Sequence, residues 1–290
     1  MTTFAKTFRI GGDLEVNRLG YGTMRITGPG IWGEPRDVAE AKRVLKRLPE
    51  LGVNFIDTAD SYGPDVTESL IGETLAPFPK GMVIATKAGL TRQGPDKWLA
   101  VGRPEYLEQQ VLMSLRHLRT DTIDLWQLHR IDGKVPVEES LGVISRLQKE
   151  GKIRHVGLSE VKPEEIDRAR KVVDIVSVQN RYNAGNREHE DVLNYCEAHG
   201  IAFIPWSPVG AGRLIRPDGV LESIAKNHNA TVAQLSLAWL LHRSPVILPI
   251  PGTSSVTHLE ENMKAAEIEL SDKELADIEQ AAQSNLRKPR

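Results

Sequence analysis

At 290 residues the chain can hold one large α/β barrel or two ordinary domains, and either would bury a substantial core. Hydrophobic residues make up 40% and charged residues 26%, ordinary globular values that argue against long disordered segments. The net charge of −2 gives no electrostatic basis for binding nucleic acid or an anionic membrane surface, and the single cysteine, Cys196, excludes a disulfide framework. One cysteine suits a reducing compartment, and Met1 to Ile10 lacks the apolar core of a signal peptide. No run of about 18 apolar residues occurs, so a cytoplasmic protein without a membrane partner is expected.

Residues 7–16 alternate around Gly11-Gly12-Asp13, which predicts a small hairpin covering part of the main fold. Leu19 to Gly22 reads as a first strand, and Arg36 to Leu51 as a helix with Val38, Ala41, Val44, Leu45 and Leu48 on its apolar face. The rhythm repeats as strand 53–57, helix 67–75, strand 82–87, helix 104–119, strand 124–129 and helix 137–150. It continues as strand 153–158, helix 163–173, strand 175–178, helix 188–199, strand 201–206, helices within 219–242, and strand 246–250. A last amphipathic segment, Lys273 to Ala282, precedes the basic end Arg287-Lys-Pro-Arg290.

Eight strands, each followed by helical sequence and with no linker between them, predict a single domain over residues 1–290. The class is α/β, a (β/α)8 TIM barrel with an N-terminal β-hairpin and extra C-terminal helices. A doubly wound sheet shows the same alternation, but its Gly-x-Gly-x-x-Gly turn is missing: Gly20-Tyr-Gly22 is followed by Arg25 where the third glycine belongs.

In a parallel barrel the C-terminal strand ends converge on one face, so Asp57, Lys87 and His129 can meet there, with Tyr62 in the loop above Asp57. A buried Lys87 needs a counter-charge, and Asp57 is the natural one. The ammonium would favour the phenolate of Tyr62 and lower its pKa from about 10 towards neutrality, making it a usable proton donor to a carbonyl oxygen. A neutral His129 can donate a hydrogen bond to the same oxygen. None of these groups can deliver a hydride, which calls for a nicotinamide. Read singly, each has an ordinary reading: a surface tyrosine, a solvent-reaching lysine, a turn aspartate, a histidine on a backbone carbonyl.

Several ordered motifs carry a resemblance to the aldo-keto reductases over nearly the whole chain. They are Leu19-Gly-Tyr-Gly-Thr-Met24, Phe55-Ile-Asp-Thr-Ala-Asp-Ser-Tyr-Gly63, Ala85-Thr-Lys87, Asp121-Thr-Ile-Asp-Leu-Trp-Gln-Leu-His129, Gly151-Lys-Ile-Arg-His-Val-Gly-Leu-Ser159, Val178-Gln179, Pro205-Trp-Ser-Pro208 and Ile250-Pro-Gly-Thr253. The resemblance implies carbonyl reduction with Tyr62 as acid, Lys87 and Asp57 as its tuning pair and His129 as the orienting donor, and extra helices packed on the outside of the barrel. It also implies a cofactor path. Trp206 takes the position that stacks on the nicotinamide, and Ser159 and Gln179 those that bond its carboxamide. Glu160 follows Ser159 where the family usually has asparagine. Ser207, Val209 and Gly212 match the pyrophosphate loop, and Gly22, Thr23 and Met24 the loop lining the ribose side. Ile250, Gly252, Thr253, Ser254, Ser255 and His258 match the adenosine segment, with Glu261 and Asn262 on the adenine. Family members that hold the 2′-phosphate of NADPH tightly usually have lysine or arginine there, and this chain has none. NADPH is the expected cofactor, with NADH open.

Met24, Arg25, Ile26, Trp32, Tyr62, Leu90, His129 and Arg130 are candidates to line the substrate pocket, Trp32 as its apolar wall. The expected partner is a small or aromatic aldehyde or ketone, acted on by a monomer or weak homo-oligomer through an open cleft. Two other classes remain: a nicotinamide-binding regulatory subunit of a channel, and a metal-dependent barrel hydrolase built on Asp57, Asp60 and His129. The hydrolase lacks a His-x-His pair at the end of the first strand, and no metal is expected.

Overall fold

The computed structural model describes residues 4–210 and 219–286, with side chains described to residue 281, so Gly212 and the basic tail lie outside the described residues. Strands β1 (Thr7–Ile10) and β2 (Leu14–Asn17) form the expected antiparallel hairpin. Then come β3 (Tyr21–Gly22), α1 (Val38–Glu50), β4 (Phe55–Asp57), α2 (Val66–Leu75), β5 (Val83–Ala88), β6 (Leu90–Arg92) and β7 (Trp98–Ala100). They are followed by α3 (Pro104–Leu118), β8 (Ile123–Leu128), α4 (Val137–Lys149), β9 (Ile153–Ser159), α5 (Pro163–Ala169), β10 (Ile175–Gln179), α6 (Glu190–His199) and β11 (Ala202–Phe203). The chain continues through α7 (Val220–Asn227), α8 (Val232–Arg243), α9 (Val256–Met263) and α10 (Asp272–Leu286).

Among the described residues the main sheet runs β11-β10-β9-β8-β5-β4-β3, every pair parallel. The predicted eighth strand closes it without forming a regular ladder. Phe203 N donates to Val246 O and Leu248 N to Phe203 O, both at 2.8 Å, while Gly20 N donates to Pro249 O at 2.9 Å and Gly22 N to Pro251 O at 3.4 Å. Pro249 and Pro251 have no N–H to give, so this segment bonds towards β3 through its carbonyls alone. The result is the (β/α)8 barrel. Pro205 likewise cuts the seventh strand from its expected 201–206 to Ala202–Phe203. Helix α5 ends at Ala169, four residues before its expected end, as Val172 N and Val173 N both turn back to Ala169 O.

Helix α1 shows why the helical period predicts its packing. Asp37 caps it by accepting from Glu40 N at 2.8 Å, and Ala41, Val44, Leu45 and Leu48 are buried against Ile56, Ile71 and Ile84 of the next units. Each such buried Val or Leu contributes about 1.5–3 kcal/mol. The N-terminal hairpin plugs the bottom of the barrel: Ile10, Leu14 and Val16 pack with Phe55, Val83, Leu125 and Ala202. That leaves the opposite rim, where the strands end, free for chemistry. Helix α10 packs outside, with Ile278 buried and Glu279 paired to Arg187 at 3.0 Å. No described helix is long and apolar enough to cross a membrane.

Candidate active site

Asp57 ends β4, Lys87 lies one residue from the end of β5, and His129 follows β8 directly, its N–H donating to Ala88 O at 2.8 Å. Strand register brings them together: Asp57 pairs with Ala85, and Lys87 with Gln127. Lys87 Nζ donates to Asp57 Oδ1 at 2.6 Å and to Thr58 O at 2.7 Å, with both charged side chains buried. Asp57 Oδ2 accepts from Gln127 Nε2 at 3.1 Å and from Gln179 Nε2 at 2.8 Å. The carboxylate is therefore held from three strands.

Tyr62, in the loop between β4 and α2, is buried, with its ring centre 5.3 Å from Lys87 Nζ and 5.9 Å from the His129 ring. Its pKa departs from the expected direction. Burial raises it above the ordinary phenol value, and the downward pulls of Lys87 and Arg130 do not reverse this, with Asp57 adding to the rise. Tyr62 is thus a neutral phenol, the form that donates a proton. Burial also acts against the charge of Lys87, but Asp57 and Tyr62 turn the balance, and its pKa is raised. For His129 every influence agrees: burial first, then Lys87, Arg130 and Arg92, hold its pKa well below the usual histidine value. The imidazole is neutral, with Nδ1 3.3 Å from Ser61 Oγ.

A cavity of about 300 Å³ opens beside this cluster, lined by Gly22, Thr23, Met24, Arg25, Asp57, Tyr62, Gln179, Trp206, Ser207, Pro208, Val209, Gly210, Ile250, Pro251 and Gly252. It shares Met24, Arg25 and Gly252 with a second cavity of about 620 Å³ that reaches Arg36, Thr253 and Ser254. At the junction, a Cβ on Gly252 would stand 2.7 Å from Gly22 O, so only glycine lets the two loops pass this closely. Ser159 is buried at the end of β9, its Oγ accepting from Arg130 Nη1 at 3.1 Å. Of the remaining candidates, Ser255 precedes α9, and His258, Glu261 and Asn262 lie on α9, lining neither cavity.

The first amide of α9 is not open to an anion. Val256 N donates to Glu40 Oε1 at 2.9 Å, so a carboxylate already stands at that helix end. Trp32 is partly exposed and bridges to Gly63, next to Tyr62. Two residues with no sequence signal complete the surroundings. The antiparallel β6–β7 hairpin, in a stretch to which the sequence pattern assigns no element, brings Trp98 to 6.4 Å from the His129 ring. Arg92 lies 3.6 Å from the centre of the Trp98 ring and donates to Gly30 O, Ile31 O and Ser61 O, tying three loops together.

Asp60 does not join Asp57 and His129 in a ligand set. Its Oδ2 accepts from Gln110 Nε2 at 2.9 Å and from Tyr106 OH at 3.3 Å, away from the lysine pair. Among the described residues, metal-ligand spacing occurs instead at Asp65, Glu68 and His117, where the histidine lies between two carboxylates at 3.7 Å from each.

Residues 18–283 match the model of the Aldo/keto reductase family. The chain is 54% identical over 273 residues to an uncharacterized oxidoreductase of Schizosaccharomyces pombe, covering 94% of this chain and 89% of that protein. It is 42% identical over 281 residues to pyridoxine 4-dehydrogenase of Escherichia coli, covering 95% and 98%. The crystal structure of an aldo-keto reductase from Klebsiella pneumoniae in complex with NADPH superposes with a TM-score of 0.78 at 26% identity, over 97% of this chain and 95% of that one. The chain belongs to the aldo/keto reductase family and is an NAD(P)H-dependent oxidoreductase.

Proposed function

We propose that this enzyme reduces aldehyde or ketone carbonyls to alcohols, reversibly, with NADPH preferred and Tyr62 as the proton donor. The observation that carries the reading is the buried triangle of the neutral Tyr62 phenol, the Lys87 ammonium and the neutral His129 imidazole, with Tyr62 itself on the cavity wall. Tyr62 donates its proton to the carbonyl oxygen as that oxygen gains negative charge, and Lys87 stabilises the phenolate left behind. Asp57 keeps Lys87 charged and in place. His129, uncharged, gives the same oxygen a hydrogen bond without competing for the proton.

The donor set fits a nicotinamide. Gln179 has committed its amide nitrogen to Asp57, which leaves its carbonyl oxygen to accept from a primary carboxamide. Ser159 accepts from Arg130 and keeps its hydroxyl hydrogen to donate. Trp206 offers a flat wall, and Arg25 and Arg36 line the adjoining cavity as cations for phosphate. When bound, the cofactor supplies the hydride that no side chain can.

The 42% identical relative is named a pyridoxine 4-dehydrogenase, so pyridoxal heads the carbonyl panel, followed by other small and aromatic aldehydes and ketones. We further read the chain as a single catalytic domain acting in the cytoplasm, as a monomer or weak homo-oligomer. The decisive experiment follows NADPH consumption over that panel for the native enzyme and Tyr62→Phe, with cofactor affinity measured separately. Turnover in the variant should fall by about 10²–10⁴ with affinity unchanged. Tight cofactor binding with no turnover on any carbonyl would favour a regulatory subunit, and undiminished turnover in the variant would reject the proton-donor role.

A further inference from the structure

Glu160 stands where the family pattern has asparagine, and it is bonded in a way an asparagine could not fully copy. It follows β9 with φ at +55°, in the left-handed region that costs a glutamate strain. Its Oε1 accepts from Trp206 Nε1 at 2.6 Å and from Arg181 N at 2.7 Å. The indole held in this way belongs to the cavity wall. Around it the charges are otherwise positive: Arg130 bonds Ser159, and Arg181 lies 5.5 Å from the centre of the Trp206 ring. Asp57 is already matched by Lys87.

We propose that Glu160 is a positioning residue that fixes the Trp206 ring and sets a negative charge beside the nicotinamide pocket, so that the bound cofactor is favoured in its oxidised, cationic form. The inference rests on the cofactor site proposed above. An ionised carboxylate only accepts hydrogen bonds, so Glu160 cannot donate to the carboxamide oxygen as an asparagine amide can. What it adds is electrostatic. An oxidised nicotinamide ring carries a positive charge that the reduced ring lacks, and surroundings of arginine and lysine alone would favour the reduced ring. The Glu160 carboxylate opposes that bias. By accepting from the indole N–H it also leaves the ring more electron-rich, which strengthens its attraction for a cation.

The test is equilibrium binding of NADP⁺ and NADPH, followed by tryptophan fluorescence, with no turnover required. Glu160→Gln retains an acceptor for the indole and removes the charge; NADP⁺ should bind about five- to tenfold more weakly while NADPH changes less than about twofold. Arg181→Ala, at an exposed side chain, removes a cation near the same ring and should shift the ratio of the two affinities the other way. Equal weakening of both cofactor forms by Glu160→Gln would reduce the residue to packing and overturn the proposal, as would an unchanged ratio. Failure of the native protein to bind either nicotinamide would instead overturn the cofactor site itself, a result separable from the other two.

Discussion

Lys87 Nζ lies 2.6 Å from Asp57 Oδ1, and both side chains are shut off from water. A buried pair of this kind is costly to break from one side, because the survivor is left charged and unmatched. Lys87→Met should therefore lose about 3–5 kcal/mol of stability in addition to its turnover. The double variant Asp57→Asn with Lys87→Met should regain most of that stability and none of the turnover. Urea unfolding and NADPH consumption, measured on the same samples, separate the two effects. A single variant as stable as the native protein would mean that the pair is not the anchor of the site.

The pH profile follows from the two protonation states around the cavity. His129 is held neutral, and Tyr62 keeps its proton above the ordinary phenol value. Reduction needs the protonated phenol, so raising its pKa extends the active range upwards. Carbonyl reduction should be flat from about pH 6 to about pH 9 and fall only in more alkaline solution. A limb near neutrality that disappears in His129→Gln would show that the histidine titrates there and is not the neutral donor described.

The grouping of Asp57, Tyr62, Lys87 and His129 was legible in the sequence because strand ends in a parallel barrel share one rim, a rule that needs no coordinates to apply to Asp57, Lys87 and His129. The direction of the Tyr62 shift was not legible, since it depends on how deeply the ring sits, and charge pairing alone points the other way. The β6–β7 hairpin escaped for a different reason. Its strands are three residues each around Gly94 and Pro95, too short for alternation to be distinguished from loop. Glu40 reaches Val256 across 216 residues, a contact that no local pattern encodes. The eighth segment reads in the sequence as an ordinary strand over 246–250, and its irregular closure follows from the N–H groups that Pro249 and Pro251 lack.

Asp60 gives the fold a pH dependence of its own. Its carboxyl is buried, with Oδ1 unpartnered, and burial pushes its pKa up to about 8 from 3.8. Between those values the folded chain holds a proton that the unfolded chain has released, so stability is lost as pH rises through this window. Asp60→Asn keeps an acceptor for Gln110 and Tyr106 and removes the titration. The variant should gain on the native protein by up to about 1.4 kcal/mol per pH unit between about pH 5 and about pH 8. Melting temperatures of the two proteins that run parallel across that range would show that Asp60 is already ionised in the fold.

Glu40 sets the last expectation, on cofactor choice. Its carboxylate accepts from Val256 N at the start of α9, and that hydrogen bond is the main cause holding its pKa below the usual glutamate value. The family resemblance aligns this helix start with the segment that faces the adenosine and its 2′-phosphate, and a carboxylate there opposes a second anion while occupying one of the amides that would bind it. Glu40→Ala frees the amide and releases Arg43, now paired with Glu40 at 2.6 Å, to turn towards a phosphate. The affinity for NADPH should rise about three- to tenfold relative to NADH, with turnover at saturating cofactor little changed. Fluorescence titration with both nicotinamides reads the ratio directly, and an unchanged ratio would place the 2′-phosphate away from α9, nearer the Arg25 and Arg36 side of the larger cavity.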